Sequence, residues 1–486
     1  MMNRIVFTAL FLLVSIFSTV VGEAKQRPNI IFLLTDDHRW DMMGCAGNKI
    51  IKTPEMDALA KEGVRFKNAF VTTSICAASR ASFFTGLHER THRYTFGTYP
   101  IQSEHIAISY PVVLKRAGYR TGFVGKFGVG VQKGTEREMF DFFEKVDRNP
   151  YFKTMPDGSL RHATEIEGDK AIAFLDTVKK DEPFCLSVSF NAPHAEDNDP
   201  RQFFWTSESD GLYRDAKFVP PVTMTDEFFN RHPEFLKKSE SRRRFHWRFD
   251  EAEKYQEMVR GYYRMISDVD RVIGRIRAAL EERGMADNTI IILTGDNGYF
   301  LGDRGFADKW YIYERSIRVP LLVFDPRAPK SLRGKTPEAF ALNVDLAPTM
   351  IELAGAQIPS LMQGRSLVPL LKDRKPKDWR TDFFYEHLME ADGVKFGRTV
   401  IPKSEGVRNE RFTYVRWFES DPLVEELYDH TRDFEQQQNL IGDSKFSKVA
   451  QQLRQRTTEY RDLYGGPFVS NFAPRPDRRN SGAGRE

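Results

Sequence analysis

Short stretches dominated by apolar residues recur along this chain, and most of them stop at a group able to bind or react. They cover 29–34, 119–124, 184–190, 289–293 and 319–324. Each is too short for an isolated helix. A strand that is apolar on both faces must be covered on both faces, which is the situation of a parallel sheet sandwiched by helices. Helical patterns lie between the runs. One covers 53–61, with Thr53 as N-cap, Pro54 at the first helical position and Gly63 as stop. Others cover 111–117, closed by Gly118; 169–179; and 251–282, ended by Gly284. The alternation predicts an α/β domain, a large mainly parallel sheet flanked by helices.

The runs deliver chemistry to one rim. Asp36 and Asp37, Lys126, His194, and Asp296 with Asn297 each follow the carboxyl end of a predicted strand. In open α/β sheets ligands bind along that edge. Asp36, Asp37, Asp296 and Asn297 offer oxygen atoms only, a set suited to Ca²⁺ or Mg²⁺ rather than zinc. Each pair also has a plainer reading, as a helix cap or a tight turn. Between the first two runs lies a stretch of small and hydroxyl residues, 73–86, that reads as a helix starting near Cys76. A helix start presents unpaired N–H groups and a positive dipole end, which suits an anion or an activated nucleophile. Cys76 and Arg80 fall four apart on one face. The alternative is a buried cysteine in a small-residue packing patch.

The 486 residues divide into four expected segments. Arg4, the apolar run 5–21 and the small residues up to Ala24 read as an export signal over 1–24, with a membrane anchor helix as the alternative. A catalytic domain spans 25–378. A smaller subdomain of short antiparallel strands (382–387, 406–418, 427–429) and one amphipathic helix (445–464) spans 379–465, and a polar mobile tail spans 466–486. A net charge of +4 without a long basic run argues against nucleic acid as partner, and no second apolar run is long enough to span a bilayer. Cys45, Cys76 and Cys185 are too few for a disulfide scaffold. The chain has no Asn-x-Ser/Thr site, which fits a bacterial periplasm or exterior. The mixed stretch 197–246 reads as an insertion over the rim and a candidate for substrate contact, with a solvated face as the plainer reading of Arg242, Arg243 and Arg244. His387, Arg408 and Arg416 are read as surface residues, with sugar contact as the alternative.

Cys76-Ala77-Ala78-Ser79-Arg80 resembles the sulfatase signature Cys-x-Pro/Ala-x-Arg. Thr35-Asp36-Asp37-His38 and 294–298 look like that family's two metal motifs, and Lys126 and Lys309 like its sulfate-binding lysines. Asn191-Ala192-Pro193-His194 is similar to the element carrying its leaving-group histidine, and 427–429 with Asn439-Leu440 to its C-terminal segment. The resemblance covers roughly 28–464. It implies an alkaline-phosphatase-like fold and hydrolysis of sulfate esters, on a sulfated saccharide from glycosaminoglycan or algal polysaccharide. It implies a formylglycine made from Cys76 by a maturation enzyme, and one bound ion, calcium before magnesium, held by Asp36, Asp37, Asp296, Asn297 and residue 76. Arg80, Lys126, Lys309 and His194 would serve catalysis, with Asp296 as proton acceptor. Two positions depart from the pattern: Gly128 and Arg304 stand where histidine is frequent in the family. The role of the first histidine would be absent, or filled by His38, His92 or another group. Two rival readings are a phosphate or phosphonate ester hydrolase of the same superfamily and a catalytically weak carbohydrate-binding relative.

Overall fold

The computed structural model describes residues 26–179, 181–390 and 400–471; the expected export signal lies outside them. Seven strands form the large sheet: β1 (Asn29–Thr35), β2 (Val64–Arg65), β3 (Arg120–Gly125), β4 (Phe142–Lys145), β5 (Phe184–Ser189), β6 (Thr289–Gly295) and β7 (Leu321–Phe324). Their order is β2-β7-β6-β1-β5-β3-β4. The five strands from β6 to β4 are parallel, while β7 runs antiparallel to both β6 and β2. The run over 319–324 thus lies one strand in from the sheet edge, which the short β2 forms.

The continuous apolar runs behave as two-faced strands. In β1 the side chains of Ile30, Phe32 and Leu34 enter one core, and those of Ile31 and Leu33 enter the other. In β6, Ile290 and Ile292 join the first core, and Ile291 and Leu293 the second. Alternation along a strand sends neighbours to opposite faces, so both layers are built from the same residues. Helix α2 (Cys76–Thr85) packs in the first core through Ala77, Ala78, Ala81, Phe83 and Phe84. The second face is covered by α3 (Ala163–Leu175) and the long α5 (Ala252–Glu282), whose Tyr255, Val259, Tyr262, Ile266, Val269 and Ile273 form its apolar stripe. Between them in the chain lies α4 (Glu240–Arg248).

Several local expectations change. Helix α1 (Pro54–Glu62) has Thr53 at its N-cap position, but Thr53 does not cap it. Its hydroxyl accepts from the Gly44 N–H at 2.9 Å and contacts Asp57 at 3.2 Å. The free N–H groups of Glu55 and Met56 donate instead to Asp270 of α5, at 3.1 and 2.8 Å. The helix expected over 169–179 starts earlier, because His162 accepts from the Thr164 N–H and caps it. The strand expected over 406–418 is two, β9 (Ser404–Asn409) and β10 (Phe412–Trp417), with a turn in which Asn409 Oδ1 accepts from the N–H groups of Arg411 and Phe412.

With β8 (Asp382–His387) and β11 (Val424–Asp429) these make a separate four-stranded antiparallel sheet, β8-β9-β10-β11. One face, with Phe383, Tyr385, Val415 and Trp417, joins the first core; Phe384, Val407, Tyr414 and Leu427 pack beneath α6 (Ser447–Tyr464). Of the expected mobile tail, 466–471 are described, and they are held: Gly466 accepts from Arg90, Asn471 donates to the Arg93 carbonyl, and Phe468 packs on Phe418. The rest of that tail lies outside the described residues. Among the described residues no helix is long and apolar enough to cross a membrane.

Candidate active site

Neighbouring strands β1 and β6 end together, and their pairing continues into the next residue, where the Asp296 N–H donates to the Thr35 carbonyl at 2.9 Å. That register brings Asp36, Asp37, Asp296 and Asn297 into one fully buried group. Asp37 takes a left-handed backbone conformation (φ 64°), which aspartate tolerates better than most residues. Its N–H donates to Asp296 Oδ1 at 3.1 Å, and its Oδ1 accepts from Asn297 Nδ2 at 2.6 Å.

Three cations and a histidine surround these carboxylates. Arg80 Nε donates to Asp296 Oδ2 at 2.9 Å, and Arg80 Nη1 donates to the Lys126 carbonyl at 2.6 Å and to Ser189. Lys126 pairs with Asp36, and Lys309 Nζ with Asp37 Oδ1 at 2.5 Å. His194 Nε2 stands 3.5 Å from Asp37 Oδ2. Lys126 follows Gly125, whose φ of 100° turns the chain off β3 so closely that an added Cβ would lie 2.1 Å from the Ser189 carbonyl oxygen. Trp310 N–H donates to the Ser74 carbonyl at 3.1 Å, which ties the Lys309 segment to the approach of α2. Cys76, the first residue of α2, lines a cavity of about 780 Å³ with Lys126, His194 and Lys309. All nine residues singled out from the sequence therefore meet at this rim.

The donor set suits a hard cation. Asp36 Oδ1, Asp37 Oδ2 and Asn297 Oδ1 are buried oxygens without a hydrogen-bond partner. Ligand atoms of Asp36, Asp37 and His194 lie within 4.8 Å of one another. Burial and the adjacent carboxylates, opposed by Lys309, push Asp37 up to about 7. Asp296 is raised by burial and by Asp36, against Arg80. For Asp36 the burial penalty is overcome by Lys126 and Arg80, which bring it to about 2. Crowded carboxylates with orphaned oxygens are what a divalent ion relieves. Burial raises the Cys76 thiol, against the pull of Lys126 and Lys309. His194 is held well below the ordinary histidine range by burial, then by Arg148, Lys309 and Lys126.

The two departures from the family pattern have physical reasons. Gly128 has φ 71°, and a Cβ there would sit 2.6 Å from Arg80 Cδ, so Arg80 occupies the place of a side chain. Neither histidine offered as a substitute reaches the cavity. His38 is buried between Thr35 and the Met42 carbonyl, and His92 contacts Ser82 at 3.1 Å. Arg304 is buried over the Tyr313 ring and donates to the Gln436 carbonyl at 2.5 Å and the Tyr428 hydroxyl at 3.1 Å. It joins the main domain to the small sheet.

The expectations about the basic run and about His387, Arg408 and Arg416 fail. Arg244 is buried and binds Glu240 and Asp308, both at 2.7 Å, and Arg242 packs on Phe229 and Phe245, so the basic run is not a solvated face. His387 and Arg408 are buried, Arg408 against Glu314, and Arg416 binds Glu405, so none is a surface sugar contact. The cavity also contains residues the strand pattern missed, Tyr94, Arg148 and Arg244. Arg148 follows β4, whose half-buried Phe-Phe-Glu-Lys lacks an apolar run. Had that strand been recognised, the rim rule would have found it.

The sulfatase family profile matches residues 28–356, and that of the N-sulphoglucosamine sulphohydrolase C-terminal region matches 302–462. An N-acetylglucosamine-6-O-sulfatase of Bacteroides thetaiotaomicron is 29% identical over 91% of this chain and 88% of its own length. The human N-acetylglucosamine-6-sulfatase is 27% identical over 77% of this chain and 70% of its own. A solved structure holding D-glucosamine-2-N,6-O-disulfate as substrate superposes with TM-score 0.78 at 28% identity, over 90% of this chain and 98% of that one. A phosphonate monoester hydrolase of Agrobacterium radiobacter, at TM-score 0.72 and 22% identity, shares the fold. With more than two thirds of its length matched by the family profile, the chain belongs to the sulfatases of the alkaline-phosphatase-like superfamily and is a sulfuric ester hydrolase.

Proposed function

We propose that this protein removes sulfate from a sulfated amino sugar or a related glycosaminoglycan fragment, outside the cytoplasm. The observation that carries the reading is the convergence of Cys76, Lys126, Lys309 and His194 on one cavity, with Lys126, Lys309 and His194 set against the buried Asp36 and Asp37. The similarity to N-acetylglucosamine sulfatases supports the amino sugar. The segment 1–24 supports export to the periplasm or medium.

Cys76 is the residue a maturation enzyme would convert to formylglycine, and Asp36, Asp37, Asp296 and Asn297 would hold calcium. When present, the modified residue would supply a nucleophilic oxygen and the ion would make that oxygen more acidic. Lys126, Lys309 and Arg80 set positive charge around the sulfate oxygens, where it strengthens as the S–O bond breaks. Asp296, raised by burial, takes up a proton beside residue 76. His194 gives a proton to the departing sugar oxygen.

The test is a desulfation screen on defined sulfated saccharides, using protein whose conversion at Cys76 is confirmed by mass. Wild type should release sulfate from an N-acetylglucosamine sulfate, and Cys76→Ala should fold identically by circular dichroism and release none. Activity surviving in Cys76→Ala refutes the scheme.

A further inference from the structure

The leaving-group side of the cavity holds a cation that the sulfate site does not use. Arg148 lies on the loop after β4, with a side chain 21% exposed, and its Nη1 stands 2.7 Å from Nε2 and 2.5 Å from Nδ1 of His194. Its Nε donates to the neighbouring Asn149 side chain at 2.9 Å. Among the described residues the one carboxylate within ion-pair reach is Asp197, and that contact is long, 3.5 Å. Asp197 is already engaged elsewhere: its Oδ1 accepts from Arg248 at 2.5 Å, and its Oδ2 is 3.3 Å from Arg244.

One carboxylate thus serves three guanidinium groups. Arg248 and Arg244 have Asp308 in addition, at 3.0 and 2.7 Å; Arg148 has no second carboxylate. A guanidinium that rests on an imidazole and shares its one long carboxylate contact keeps N–H donors for a further anion. Its planar fork suits a sulfate or carboxylate better than a ring nitrogen. The cavity as a whole has the same sign, with five Lys or Arg among its lining residues against three Asp or Glu.

Position decides what this cation can read. Lys126 and Lys309 lie against the carboxylate floor, where the scissile sulfate belongs. His194 marks the departing oxygen. Arg148, touching His194, faces the sugar carbons around that oxygen rather than the sulfate itself.

We propose that Arg148 is a specificity-determining residue that binds a second anionic group, sulfate or carboxylate, on the sugar that carries the scissile sulfate. The preferred substrates are then dianionic saccharides. This rests on the sulfatase reading of the site above. The binding also draws Arg148 off His194, so the same anion that orients the sugar clears the imidazole.

The test uses matched pairs of saccharide sulfates that differ by one anion. One arm compares N-sulfated with N-acetylated glucosamine sulfates, for a second sulfate. The other compares hexuronate with hexose sulfates, for a carboxylate. Wild type should prefer the dianionic member in at least one arm, and the arm that responds names the group. Arg148→Ala and Arg148→Gln should each lower kcat/KM for that dianionic member about 10- to 100-fold, in KM more than kcat, and change the monoanionic one less than about 3-fold. Arg148→Gln keeps a polar side chain, which guards against misfolding in Arg148→Ala. Equal losses on both members, or no loss on either, overturn the role of Arg148 while leaving a working sulfatase. If wild type hydrolyses neither member of any pair, the functional reading falls and takes the inference with it.

Discussion

At the scale of single residues, His194 and the acidic floor carry the most exposed claims. A general acid matters in proportion to how badly the departing group needs a proton. His194→Ala should therefore slow release of sulfate from a sugar by ~10²–10⁴-fold. The same change should cost far less with 4-nitrophenyl sulfate, because a nitrophenolate leaves unprotonated. Equal losses on the two esters would show that His194 does something else. The three orphaned oxygens of Asp36, Asp37 and Asn297 make a second claim. A ligand bound only by the folded state stabilises it by RT ln(1 + [L]/Kd), about 2.7 kcal/mol at a hundredfold excess over Kd. Thermal unfolding with chelator should show a lower midpoint that calcium restores, and Asp37→Asn should lose most of that calcium response. A midpoint indifferent to chelator and calcium in the wild type would remove the ion from the site.

At the scale of elements, the cap of α1 gives a pH prediction. Asp270 is pushed up to about 7 by burial, although the Met56 and Glu55 N–H groups favour its charge. A carboxyl raised on folding binds its proton more tightly when folded. Its contribution is thus full below its unfolded value near 4 and is lost as pH rises toward 7. Denaturant unfolding at pH 4.5 and pH 7.5 should show wild type losing stability relative to Asp270→Asn across that window; a constant difference contradicts the assignment. Elements also explain what the sequence made legible. Asp36, Asp37, Lys126, His194 and Asp296 were visible because each follows a strand buried on both faces, and such a strand announces itself by composition. Lys309 follows a two-residue strand and emerged through its motif. Arg148 follows a four-residue strand with half-buried phenylalanines, whose period carries no signal. Arg244 sits in a basic run that would be solvated but for Glu240 and Asp308, and Asp308 is sixty-four residues further along the chain. Pairings across that separation cannot be read from local pattern.

At the scale of the whole molecule, the small sheet is bonded into the main domain by buried charge. Arg90 Nε binds Glu386 at 2.9 Å and its Nη2 binds Glu405 at 2.6 Å, with all three side chains at most 4% exposed. Arg90→Met keeps volume but strands Glu386, while Glu405 keeps Arg416, and breaking a buried pair in this way typically costs ~3–5 kcal/mol. Chemical denaturation should show that loss, whereas Arg231→Met, at an exposed i,i+4 pair with Glu227, should change stability by less than about 1 kcal/mol. The carboxylate floor hangs from β1 and β6, central strands with partners on both sides, whereas Arg148 and Asp197 sit on connecting loops. On the proposed reading, bond-breaking machinery is anchored in central strands and substrate choice in connecting loops. A lineage built this way can retarget itself to a new sugar by editing the mouth, without renegotiating the chemistry beneath.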